Sequence, residues 1–63
     1  MGTTANYLAQ AMKLRARAKE CRERAELARD RKTSSQYAGL AESYERLART
    51  QEALAQQAPD QPG

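Results

Sequence analysis

The chain has 63 residues, room for one small domain, and its apolar quota is thirteen Ala, six Leu, three Tyr, two Met and one Cys. The lack of His and the single cysteine, Cys21, exclude histidine acid–base chemistry, histidine metal ligation, an internal disulfide and a Cys-rich zinc site. The net charge of +3 divides unevenly, with nine Lys/Arg against four acids up to Lys32 and two against four beyond it.

Apolar runs reach only two or three residues, too short for a membrane span or a secretory signal. Gly2 is followed at position 6 by Asn6, where a myristoylation signal needs Ser or Thr. The expected setting is therefore the cytoplasm. Residues 1–4 read as a flexible polar lead in which Thr3 or Thr4 caps the following helix. From about 5 to 31 the chain lacks Gly and Pro and is rich in Ala, Arg, Lys, Glu and Leu, which predicts a helix. Arg29, Arg31 and Lys32 suit the negative end of its dipole. A hinge is expected at 32–34, where Thr33-Ser34-Ser35-Gln36 matches a capping box. A second helix then runs over about 35–57, with Gly39 its one poor helix former, and Pro59 and Pro62 mark a disordered tail over 59–63. Strands have almost no support, because the β-branched residues are four Thr.

Apolar spacing predicts how the helices meet. Tyr7, Ala11, Leu14, Ala18, Cys21, Ala25 and Ala28 recur at steps of four and three, as do Tyr37, Leu40, Tyr44, Leu47, Gln51, Leu54 and Ala58. Folding the chain at Lys32–Thr33 pairs position i with 65 − i, setting a large residue against a small one in every layer but Leu14 with Gln51. The expected architecture is all-α: an antiparallel two-helix hairpin of coiled-coil type spanning 5–58. Leu8, Met12 and Leu27 on the first helix and Ala41, Ala48 and Ala55 on the second lie off this seam. They form the expected oligomer face of a homodimeric four-helix bundle.

Charge follows the same seam. Arg15 and Arg22 fall near Glu52 and Glu45, whereas Lys13, Arg17, Arg24 and Arg31 face uncharged residues and form a candidate anion-binding strip. Four cations without an interleaved aromatic make weak, salt-sensitive nucleic-acid binding a secondary expectation. The mostly Ala surface opposite the strip argues against a membrane-surface helix. Cys21 reads as a small buried hydrophobe, and Gln51 as either a tolerated polar residue or a register-fixing one. No acid, base and nucleophile converge, so no catalytic, cofactor or metal site is expected.

The segments Glu20-Cys21-Arg22-Glu23-Arg24-Ala25-Glu26-Leu27-Ala28 and Leu40-Ala41-Glu42-Ser43-Tyr44-Glu45-Arg46-Leu47-Ala48, with the stretch between them, span about half the chain. They resemble small helical proteins of alphaproteobacteria that carry E-C-R-x-x-A-x-x-A, a short hinge and L-A-x-x-Y/W-x-x-L-A. The resemblance implies bacterial origin and a helical hairpin, and it carries over no activity and no functional residue. The expected function is a non-enzymatic, self-associating interaction or scaffold module. The alternatives are a small basic nucleic-acid-associated protein, or a regulatory subunit of a larger protein, an acidic one included.

Overall fold

The computed structural model describes residues 3–57. Two helices account for nearly all of them: α1, Thr3–Leu27, and α2, Arg31–Gln57. They form an antiparallel hairpin, with Arg15 of α1 paired to Glu52 of α2 and Arg22 to Glu45. Residues 1, 2 and 58–63, which include Ala58 of the expected seam and the expected tail, lie outside the described residues. Thr3 and Thr4 of the expected lead belong to α1 itself.

The hinge lies at Ala28, Arg29 and Asp30, not at 32–34. The Ala28 N–H makes the last helical bond of α1, to the Arg24 carbonyl at 2.9 Å. Asp30 then caps α2. Its carbonyl accepts the first intrahelical bond from the Ser34 N–H at 3.1 Å, and its Oδ2 accepts from the Thr33 N–H at 2.9 Å. The cap is thus Asp30-Arg31-Lys32-Thr33 rather than Thr33-Ser34-Ser35-Gln36. The earlier turn places Arg31 and Lys32 at the positive end of α2, and Arg24 takes the last turn of α1. Ser34, freed from the hinge, donates its Oγ–H to the Ala25 carbonyl at 2.9 Å and satisfies one of the acceptors left open at the end of α1.

The earlier turn also changes the register. Ser34 with Ala25, and Thr4 with the Ala55 carbonyl at 3.5 Å, join residues whose numbers add to 59, not 65. On α1 the inward row remains Tyr7, Ala11, Leu14, Ala18, Cys21 and Ala25, with Thr4 added and Ala28 following in the hinge; Ala11 and Ala18 are buried and the others half-buried. On α2 the inward row is Ser34, Tyr37, Ala41, Tyr44, Ala48, Gln51 and Ala55. Ala41, Ala48 and Ala55 are buried, while Leu40, Leu47 and Leu54, expected in the seam, are 48%, 50% and 37% exposed. On α2 the alanine row has therefore taken the place of the leucine row, while Tyr37, Tyr44 and Gln51 stay inward.

Small side chains explain the exchange. Alanines meet alanines at seven-residue intervals, so the main chains come close enough for short hydroxyl side chains to reach the opposite helix's carbonyls near both ends of the hairpin. Leucines in those positions would hold the helices apart and cost both bonds. The resulting interior is Ala11, Ala18, Ala41, Ala48 and Ala55, and no large side chain is fully buried among the described residues.

Two substitutions test this packing by urea denaturation. Ala48→Leu, overfilling the alanine contact, lowers stability by roughly 1–3 kcal/mol. Gly39→Ala, on a helical position with nothing within 4 Å of an added Cβ, raises it by about 1 kcal/mol.

Candidate functional site

The two long faces of the hairpin differ, and the difference begins with heptad position. The a positions are Thr4, Ala11, Ala18 and Ala25 on α1 and Ser34, Ala41, Ala48 and Ala55 on α2; five of these eight are buried. The d positions are Tyr7, Leu14, Cys21 and Ala28, facing Tyr37, Tyr44 and Gln51, and all are only half-buried. One edge of the seam is closed and the other is open.

The closed edge is roofed by ion pairs. Arg15 donates from Nε and Nη2 to the two carboxylate oxygens of Glu52 at 2.8 and 2.7 Å. Arg22 does the same to Glu45, with both bonds at 2.8 Å. Such planar forks fix geometry better than a single contact does. The hydrogen bonds from Arg15 and Arg22 hold the carboxyls of Glu52 and Glu45 below their ordinary range, and the same bonds raise both guanidinium pKa values. The Thr33 N–H, followed by the Thr33 hydroxyl, lowers that of Asp30.

The open edge carries no such roof. Leu40, Leu47 and Leu54, at the position before each alanine of α2, form an exposed ridge beside half-buried Tyr37 and Tyr44. Across the groove, the equivalent positions of α1 hold Gln10, Arg17 and Arg24, all exposed. At the hinge end this face has a wide-open hollow of about 270 Å³ lined by Arg24, Leu27, Ala28, Thr33 and Tyr37. Leu27 is 80% exposed there. Cys21 is a free, half-buried thiol among the d positions of this face. Gln51 is likewise half-buried in the α2 row, and no buried side-chain polar atom among the described residues lacks a partner.

The expected site residues are redistributed accordingly. Of the oligomer-face set, Ala41, Ala48 and Ala55 are inside the hairpin, and Leu8 and Met12 are exposed on the far side of α1 from the ridge. Of the anion strip, Arg17, Arg24 and neighbouring Lys13 share the open side of α1, whereas Arg31 stands across the hinge in the first turn of α2. The strip is broken because the helix ends four residues before Arg31. Among the described residues, no group of three His, Cys, Asp or Glu is placed to hold a metal ion, and no helix is long and apolar enough to cross a membrane. Comparison with protein-family models, curated proteins and solved structures finds no match to this chain.

The lowered carboxyl pKa values give stability a defined pH dependence. A group with a depressed folded-state pKa stabilises fully above its unfolded pKa, and that contribution is lost as pH falls through the folded value. Thermal melts therefore show a falling midpoint below the ordinary carboxylate range. A Glu45→Gln/Glu52→Gln/Asp30→Asn variant, which keeps acceptors but not titration, shows a flatter profile.

Proposed function

We propose that this chain is a non-enzymatic helical interaction module that self-associates through its open face, two copies forming a four-helix bundle. One observation carries the reading. The hairpin encloses five alanines, yet leaves Leu27, Leu40, Leu47 and Leu54 uncovered along one side. Burying such side chains is worth roughly 1.5–3 kcal/mol each, so a further helix supplies what the hairpin alone lacks. Tyr37, Tyr44 and Gln51 serve two heptad rows of α2, one with the buried alanines and one with the leucines. A helix with two neighbours in a bundle has this pattern.

A second reading has its own support. Lys13, Arg17 and Arg24 share one side, and the ion pairs among the described residues are those of Arg15 and Arg22. Contact with a phosphate backbone through so few cations would be steeply salt-dependent and indifferent to sequence. Service as a subunit of a larger protein uses the same open face as self-association.

Sedimentation equilibrium at micromolar concentration tests self-association. The intact chain sediments as a dimer. Leu47→Lys shifts it to monomer, while Ala53→Lys, on the outer surface of α2, leaves it dimeric. A monomer with a high melting temperature would overturn self-association.

A further inference from the structure

Charge on the open face bears on what would occupy it. Glu42, Glu45 and Glu52 of α2 and Glu23 and Glu26 of α1 fall, by heptad position, on the closed edge or the outer backs of the helices. The open side of α1 holds Lys13, Arg17 and Arg24 against Glu20 alone. Two copies meeting face to face would cover both leucine ridges, but would crowd six cations into one layer with two acids. Apolar burial drives that association and like charge opposes it.

We propose that the preferred occupant is an amphipathic helix of another protein, its apolar stripe bordered on one flank by carboxylates. It lies along the groove with its apolar side on Leu40, Leu47 and Leu54 and its acids towards Arg17 and Arg24. The spacing suits one helix reading both rows. The leucines recur every seven residues and so do the arginines, a rise of about 10.5 Å per heptad. Arginine can fork onto each carboxylate as Arg15 and Arg22 already do on the opposite edge. The inference rests on the open face being the interaction surface, and it adds the chemistry of the partner and displacement of the second copy.

The test uses the full chain and two synthetic three-heptad helices with the same leucine stripe, one flanked by Glu and one by Lys. Fluorescence anisotropy is expected to show the Glu-flanked helix binding at least tenfold more tightly, and sedimentation to show the dimer converting to a one-to-one complex. Arg17→Glu/Arg24→Glu, both on exposed positions, reverses the preference; binding regained with the Lys-flanked helix shows that the variant is folded. Equal binding of the two helices, or a dimer that persists in excess Glu-flanked helix, overturns the acidic partner and leaves self-association standing. If Leu47→Lys changes neither peptide binding nor sedimentation, the open face itself is the wrong surface and both readings fail. Retention of duplex DNA as tightly as the Glu-flanked helix, lost with Arg17→Glu/Arg24→Glu but not with Leu47→Lys, overturns the proposal in favour of a phosphate backbone.

Discussion

Close approach between two alanine rows is the constraint on which the rest depends. Alanine offers little area to bury, but it lets two helices come near enough for Ser34 and Thr4 to bond main-chain carbonyls on the other arm. Once those backbones are close, the adjoining positions have little room between the helices. The forked Arg–Glu pairs roof one edge, and the leucines are displaced outward on the other. A seam built of leucine would have produced a fatter hairpin with a fuller interior and no apolar ridge.

The two-helix hairpin and the inward face of α1 were legible because helix formers and a three-four apolar spacing leave little choice there. The hinge was not. Thr33-Ser34-Ser35-Gln36 and Asp30-Arg31-Lys32-Thr33 are both competent caps, and local chemistry does not rank them; the alanine contact between arms does. The inward face of α2 was hidden for a related reason. Tyr37, Tyr44 and Gln51 belong equally to a row with Leu40, Leu47 and Leu54 and to one with Ala41, Ala48 and Ala55. A preference for bulk in the interior selects the leucines, whereas the shape of the paired backbones selects the alanines. Two overlapping heptad rows on one helix were themselves the available sign that α2 carries more than one apolar row.

The ion pairs were legible despite the wrong register, and side-chain direction explains why. Helical side chains lean towards the N-terminus of their own helix. In an antiparallel pair the long arms of Arg15 and Glu52, or Arg22 and Glu45, therefore lean towards each other across several residues of offset. Such pairs tolerate a shift of the arms that short contacts do not. Thr4 with Ala55 and Ser34 with Ala25 tolerate none, and they define the actual alignment. Arg17 and Arg24, on the opposite border, find uncharged Leu and Thr across the groove, so the same residue type closes one edge and leaves the other receptive.

An interior of five alanines also bears on how long a copy survives. Little apolar area holds the arms together, and where such a hairpin opens, cleavage by proteases follows the fraction of time spent open. Covering the leucine ridge shrinks that fraction. Under the proposed association, turnover of the polypeptide would gauge how much of the ridge is covered.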